Sequence, residues 1–270
     1  MVDKKQVELY SLKELEKIKR ACDVVVEVLE EVAKHVKPGV STYELDLIAR
    51  DVVKSRGARA AFLNYKPSFS KTPYPAALCV SVNAAVVHGL PKKDIILQEG
   101  DLVSLDFGAI LDGYAGDSAI TVPVGEVSED KKRLLEATKE ALEEAVRACV
   151  PGNWLSDITK AIKRVADKYG VHPVKNLGGH GIGRKVHEPP FVPNNLEDFK
   201  HERDMKLRAG MVLAIEPMLA LGTTDIAHDG DQWTVLTADG SPSAHYEYVV
   251  AITKEGPMVL TQFREVFPDA

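Results

Sequence analysis

Apolar residues near the start of the chain recur every three or four positions, which is the period of one buried helix face. The first such run covers residues 15–36; it follows a capping box at residues 11–14 and ends at Pro38-Gly39. A second capping box, at residues 41–44, opens a shorter helix that is predicted to end near Gly57. The pattern therefore predicts two consecutive helices in the first quarter of the chain.

A similar pattern begins at Ser128. One helix is predicted over residues 129–148, before Pro151-Gly152, and a second one is predicted to end at Gly170. Short apolar runs of the kind that form strands lie between and after the helices. The predicted strands cover residues 77–82, 86–87 and 171–177, and further strands carry Asp106, Asp117, Glu216 and Glu247.

The two parts of the chain match when their residue numbers are compared. Segments 38–57 and 151–170 are equally long, and both run from a proline to a glycine. Segments 100–106 and 210–216 are also equally long, and both run from a glycine to an acid that ends an apolar run. A duplication of helix, helix, strand and strand is the preferred explanation, and a coincidence of common helix-ending residues is the alternative.

The composition narrows the class of protein. Of 270 residues, 45% are hydrophobic and 27% charged, as in an ordinary globular protein. A net charge of −6 gives no basic footprint for nucleic acid, and no apolar run is long enough to span a membrane. Three distant cysteines and a charged N-terminal stretch without a signal-peptide core favour a reducing compartment, so the cytoplasm is expected.

Candidate chemistry centres on a glycine-rich stretch over residues 178–189, which contains His180 and His187. Each of four acids interrupts an apolar, strand-like run elsewhere in the chain: Asp106, Asp117, Glu216 and Glu247. A carboxylate in such a setting is costly to bury unless it is paired or bound to a metal. We therefore expect the four acids and His180 to converge on one site.

Four carboxylates in one place would raise one another's pKa, and two divalent cations would neutralise them. Oxygen-rich ligands with one imidazole suit Mn²⁺, Fe²⁺, Co²⁺ or Zn²⁺, and paired metals of this kind hydrolyse peptides in aminopeptidases. His88 and His187 are not needed as ligands, so each is free to donate to the substrate. No role is predicted for the remaining histidines of the second half: His172, His201, His228 and His245.

The motifs GGHGIGR, HEPP, IEPM, NAAVVHG, SLDFG, AGDS and YE occur together in this chain. In combination they resemble those of type I methionine aminopeptidases of the pita-bread fold, from about Tyr10 to about Lys254. The resemblance implies an α+β fold with two pseudo-symmetric halves around a curved antiparallel sheet and helices outside. The expected organisation is an N-terminal tail (1–10) and one catalytic domain (11–270), with internal halves at about 11–125 and 126–254.

The resemblance also implies roles for individual residues. Five of them would hold two divalent ions, of Co, Mn, Fe or Zn: Asp106, Asp117, His180, Glu216 and Glu247. His88 would contact the scissile amide and His187 the carbonyl oxygen. The methionine pocket would be lined by Tyr74, Cys79 and Trp233.

Three departures from the family pattern bear on the shape of that pocket. Val186 stands where phenylalanine is usual, Tyr248 stands where histidine is usual, and the segment 66–72 is longer than is common. They leave the expected ligand set intact, so they affect side-chain preference rather than metal binding.

The resemblance implies removal of N-terminal methionine from nascent proteins and peptides, with contact to the ribosome made by the domain itself and the chain acting as a monomer. GHGIG alone is shared with prolidases and aminopeptidase P, so an Xaa-Pro peptidase is one alternative. Prolidases and aminopeptidase P usually carry a large extra N-terminal domain. The segment before the first helix is short here, which favours the methionine aminopeptidases. A metal-free binding protein of the same fold is the other alternative.

Overall fold

The four predicted helices are present in the computed structural model, which describes residues 7–67, 70–200 and 203–263. They are α1 (Leu12–Ala33), α2 (Thr42–Ser55), α3 (Glu129–Ala148) and α4 (Leu155–Tyr169). The capping boxes predicted at Ser11 and Ser41 form, and they satisfy backbone groups that have no partner inside the helix. The first helix ends at Ala33, a turn earlier than its apolar period alone predicts.

Strands occupy the remainder of both halves. In the first half they are β1 (Arg59–Ala60), β2 (Leu78–Val82), β3 (Ala85–Val87), β4 (Leu102–Leu111) and β5 (Tyr114–Pro123). In the second half they are β6 (His172–Pro173), β7 (Gly178–Gly181), β8 (Glu188–Pro193), β9 (Val212–Ile215), β10 (Met218–Ala220), β11 (Ile226–His228), β12 (Val235–Thr237), β13 (Ser243–His245), β14 (Tyr248–Thr253) and β15 (Gly256–Val259). Helices and antiparallel strands in separate blocks make an α+β fold, as predicted.

Each half has its own antiparallel sheet. In the first half, β4 pairs with β1, β2 and β5. In the second half, the order is β15-β14-β9-β7-β8, and β13-β10-β6 forms a short neighbouring sheet. The halves are joined where β12 pairs with β3 and where Ala119 forms a bridge to Glu247. The Ser118 hydroxyl also donates to the Glu247 carbonyl oxygen at 2.5 Å.

The matched segments of the two halves share backbone conformation and hydrogen bonds. Gly39 and Gly152, which each follow the proline of their segment, adopt positive φ, at 90° and 95°. The Gly39 N–H donates to the Leu97 carbonyl at 2.8 Å, and the Gly152 N–H donates to the Leu207 carbonyl at 2.9 Å. Each acceptor leucine lies three residues before the glycine that opens the matched strand segment, so the two contacts occupy equivalent places.

One predicted strand is wrong in extent. Of residues 171–177 only His172–Pro173 is a strand, and pairing resumes at Gly178–Gly181. The strand ends at Pro173, which has no N–H to donate to a neighbouring strand, and Asn176 adopts a φ of 61°, which extended strands do not use. The apolar character of this stretch comes from core packing instead, since Val171 and Val174 are buried.

Tyr10 lies in the predicted N-terminal tail, but it is buried and bound to the second half. Its hydroxyl donates to the Glu188 carboxylate at 2.7 Å, and its backbone N–H donates to the Gly210 carbonyl, also at 2.7 Å. Residues 1–6, which make up most of that tail, lie outside the described part of the chain. Among the residues that are described, no helix is long and apolar enough to cross a membrane.

Candidate metal centre and substrate pocket

Asp106 and Asp117 share one face of the β4–β5 hairpin. Asp106 faces Ala119 across the pair, and Asp117 is two residues away from Ala119. Side chains two residues apart on a strand point to the same face, so the two acids are diagonal neighbours. The bridge from Ala119 to Glu247 brings a third acid to this face.

The second half supplies His180 and Glu216 in the same manner. His180 faces Ala214 where β7 pairs with β9, and Glu216 lies two residues beyond Ala214. Tyr248 faces Ile215 in the antiparallel pair of β14 and β9. Glu247, one residue before Tyr248, therefore lies opposite Glu216, one residue after Ile215. Strand register thus brings all five predicted ligands together.

The His180 ring is oriented toward the acids. Its Nδ1 lies 2.9 Å from the Gly181 carbonyl oxygen, which can only accept, so Nδ1 carries the proton. The unprotonated Nε2 then lies 3.5 Å from Glu216 Oε1 and 3.9 Å from Asp117 Oδ2. A ligating histidine is usually held in this way, with its second nitrogen bonded to a backbone carbonyl.

Burial and mutual repulsion perturb the acids. Burial is the largest cause of the raised pKa of Asp117, followed by the charges of Glu247 and Asp106. Burial likewise raises the pKa of Glu247, and the charge of Glu216 raises it further. Burial lowers the pKa of His180 to about 4, so its imidazole is neutral and able to bind a cation.

The donor set fits divalent cations. Within residues 7–67, 70–200 and 203–263, Asp117 Oδ1 and Glu247 Oε1 are buried without a hydrogen-bond partner. Buried carboxylate oxygens are rarely left in that condition, and a cation between them would satisfy both. One atom each from Asp117, His180 and Glu247 lie within 4.8 Å of one another, as ligands of one ion would.

His88 and His187 flank this cluster from two loops. His88 follows β3 with a φ of 58°, and burial, ahead of the charges of other histidines, lowers its pKa to about 4. The His187 ring centroid lies 4.4 Å from that of His180, and its Nδ1 lies 3.0 Å from the Tyr65 hydroxyl. Neutral imidazoles in these places can donate to a substrate.

The predicted pocket residues form an apolar wall beside the cluster. Tyr74, Cys79 and Trp233 are all buried, and the Tyr74 and Trp233 rings meet edge to face at 5.0 Å. The Tyr74 hydroxyl donates to the Gly89 carbonyl at 2.9 Å, which links the wall to the turn that carries His88. Burial raises the pKa of the Cys79 thiol, which disfavours the thiolate form that a nucleophilic cysteine needs.

One cavity of about 1410 Å³ joins the two parts. All ten predicted site residues line it: Tyr74, Cys79, His88, Asp106, Asp117, His180, His187, Glu216, Trp233 and Glu247. Val186 packs in the same apolar cluster as Tyr74 and Trp233, but it is not among the residues that line the cavity. Tyr248 packs near Phe263, with ring centroids 6.2 Å apart, and does not line the cavity; of the segment 66–72, Ser68 and Phe69 lie outside the described residues.

Two residues of this site are missing from the sequence prediction. Tyr65 is the hydrogen-bond partner of His187, 122 residues away, and no local pattern indicates that contact. The sequence assigns no role to His245, yet its Nε2 lies 3.4 Å from Glu216 Oε2. His245 precedes Glu247 by two residues, and that strand period could have indicated it. Of the other histidines without a predicted role, His201 lies outside the described residues.

The model of Metallopeptidase family M24 matches residues 16–254 of this chain. The chain belongs to metallopeptidase family M24. A methionine aminopeptidase of Aquifex aeolicus is 58% identical over 256 residues, which cover 95% of this chain and 99% of the relative. Methionine aminopeptidase 1 of Mycobacterium tuberculosis is 44% identical over 256 residues and 92% of both chains.

Solved structures agree with this assignment within M24. The methionine aminopeptidase of Thermotoga maritima superposes with a TM-score of 0.88 at 37% identity, covering 95% of this chain and 100% of that one. The prolidase of Pyrococcus furiosus has a TM-score of 0.73 at 23% identity and is covered to 66%, so it shows the shared fold alone. The predicted resemblance and the pita-bread fold are confirmed.

Proposed function

We propose that this M24 member removes N-terminal methionine from polypeptides by metal-assisted hydrolysis. The observation that carries the proposal is the single cavity in which an acid and imidazole cluster adjoins an apolar pocket. The names of the relatives at 58% and 44% identity support the same substrate. The pocket is lined by aromatic and sulfur-bearing side chains, which suit the flexible thioether of methionine.

Five residues would hold the metal: Asp106, Asp117, His180, Glu216 and Glu247. When bound, a pair of divalent cations supplies a nucleophilic water at neutral pH and polarises the scissile carbonyl. Two such cations would also remove the repulsion that now raises the pKa of the buried acids.

His88 and His187 would act on the peptide itself. We assign His88 to the scissile amide, because its loop is fixed beside the pocket wall through Gly89. We assign His187 to the carbonyl oxygen, where a donor stabilises the charge that develops during attack. The Tyr65 hydroxyl holds Nδ1 of His187, which leaves Nε2 to face the substrate.

Peptides of the form Met-Xaa, assayed across a range of divalent metals, test this function. We expect release of methionine when the second residue is small, because the glycine-rich backbone of β7 lies close to the cluster and leaves little room. Val186 is smaller than phenylalanine, so slow release of other first residues is also expected. Equal or faster cleavage of Xaa-Pro peptides would favour the prolidase alternative instead.

Metal stoichiometry separates an enzyme from a metal-free binding protein of this fold. We expect two divalent ions per chain. Glu247 belongs to both groups of candidate ligands, and because the remaining ligands of the two groups differ, we expect Glu247→Gln to weaken one ion more than the other. A single site in a fully active wild-type protein would contradict the two-ion proposal.

Substrates of this type are the N-termini of nascent polypeptides, so we propose that the protein acts in the cytoplasm. We also propose that it acts as a monomer. Contact with the ribosome would use the domain itself. Sedimentation velocity, alone and with purified ribosomes, tests both the monomeric state and the ribosome contact.

A further inference from the structure

His245 is held rigidly against the acid cluster. It ends β13, and its side chain is almost wholly buried, with 2% exposed. Its backbone N–H donates to the Thr121 hydroxyl at 2.8 Å, and that hydroxyl donates to the His245 carbonyl at 2.9 Å. The backbone on both sides is thus fixed to the first half, and the ring has little freedom to turn away.

The ring itself has no hydrogen bond. Among the residues that the structure describes, neither Nδ1 nor Nε2 of His245 has a partner. Leaving buried polar atoms unsatisfied destabilises the folded state, so a native structure usually provides something for them to bind. The nearest charged atom is Glu216 Oε2, 3.4 Å from Nε2, but the two do not form a hydrogen bond.

That separation is the one expected between two ligands of one ion. Two donor atoms that are each about 2.0–2.2 Å from a tetrahedral metal ion lie about 3.3–3.6 Å from one another. His180 Nε2 lies at a similar distance, 3.5 Å, from the other oxygen of the same carboxylate. Glu216 therefore has one imidazole beside each of its oxygens.

The correspondence between the matched segments of the two halves leads to the same residue independently. In the first half Gly108 faces Asp117, and in the second half Met218 faces His245. Gly108 stands two residues after Asp106, and Met218 stands two residues after Glu216, so the two positions are equivalent in the matched segments. His245 therefore occupies, in the second half, the place that the proposed ligand Asp117 occupies in the first.

We propose that His245 is a sixth metal ligand, which binds through Nε2 an ion shared with Glu216 and Glu247. The inference rests on the proposed function insofar as that function supplies the metal. One atom each from Glu216, His245 and Glu247 lie within 4.8 Å of one another. The centre then has one imidazole for each ion, and a second nitrogen ligand shifts its preference toward Co²⁺ or Zn²⁺ and away from Mn²⁺.

X-ray absorption of protein loaded with two equivalents of Zn²⁺ or Co²⁺ counts imidazoles without using a substrate. In His245→Gln we expect the imidazole count to fall by one, and one step of a calorimetric titration to weaken about 10–100-fold or more. The matched control is His35→Gln, because His35 lies at the end of α1 with 45% of its side chain exposed. It should leave both measurements unchanged.

An imidazole count in His245→Gln equal to that of His35→Gln overturns the proposal, even if affinity falls, because His245 would then only donate to Glu216. If His245→Gln does not fold, His180→Gln provides the test: imidazole scattering should persist from His245, and its absence overturns the proposal. Failure to release methionine would refute the proposed function and leave these spectra unaffected, so the two failures are distinguishable.

Discussion

Substitution of Gly179 by alanine tests whether the stability and metal affinity of the cluster depend on the close backbone packing of β7 against β9. Gly179 lies in β7 immediately before His180, and its Cα faces the neighbouring strand. A Cβ at this position would lie well inside 3.0 Å of the Ala214 carbonyl oxygen and 3.1 Å from its carbonyl carbon. Both atoms belong to backbone, so no side-chain rotation can relieve the clash, and the strands must separate.

The cost follows from what the separation disrupts. β7 and β9 pair over only two positions, His180 with Ala214 and Gly181 with Leu213. Overpacking costs about 1–3 kcal/mol, and each weakened backbone hydrogen bond adds about 0.5–1.5 kcal/mol. We expect the free energy of unfolding to fall by about 2–4 kcal/mol, which lowers Tm by roughly 4–8 °C in a chain of this size.

The assay is thermal unfolding with and without excess Zn²⁺, together with calorimetric titration of the metal. Because His180 moves with the strand, the metal should stabilise Gly179→Ala less than the wild type. The control is Gly230→Ala, where nothing lies within 4 Å of an added Cβ and φ is not positive. The reasoning is refuted if the two variants have the same Tm and the same metal affinity.

Three further predictions concern single residues outside the glycine-rich strand. His88→Ala should keep both metals and lose roughly 10²–10⁴ in kcat, the usual effect of one positioned acid or base, and loss of both metals would contradict its role on the amide. Lys92 Nζ lies 3.1 Å from Asp231, and the Asp231 carboxylate accepts the backbone N–H of the pocket residue Trp233. Lys92→Met should therefore raise KM by at most about fivefold and leave kcat unchanged, and a fall in kcat alone would disprove this. Asp46 is buried, and its carboxylate accepts two backbone N–H groups. Asp46→Ala should lower the free energy of unfolding, measured in urea, by roughly 2–5 kcal/mol without altering metal affinity. A loss of stability below about 1 kcal/mol would count against this prediction.

The sequence predicted those parts of the site that local patterns encode. An acid that interrupts an apolar strand signals an unusual buried charge, and Asp106 and Glu216 are both marked in that way. Once strand register is known, a period of two places such acids on one face, and this is why the structure brings them together. Helix starts were predicted equally well, because a capping box is a property of four consecutive residues.

Contacts between distant loops were not predictable by those means. Tyr65 and His187 meet across 122 residues, and Tyr10 and Glu188 meet across 178. Nothing in the neighbourhood of either tyrosine indicates its partner, since each contact depends on how two loops are placed by the whole fold. The same limit explains the short strand at residues 172–173, where core burial produced an apolar run without extended pairing.

The duplication holds more information than the matched segments alone can reveal. Those segments relate the helices and one strand of each sheet, β4 and β9, but the connection to the returning strand is longer in the second half. Only the strand pairs Gly108–Asp117 and Met218–His245 show that Asp117 corresponds to His245. Two residues further along each strand, Ala119 then corresponds to Glu247, and these two residues form a bridge between the halves. The second half thus has a carboxylate at the bridge and an imidazole where the first half has an aspartate, so the two metal sites that we propose should differ in affinity.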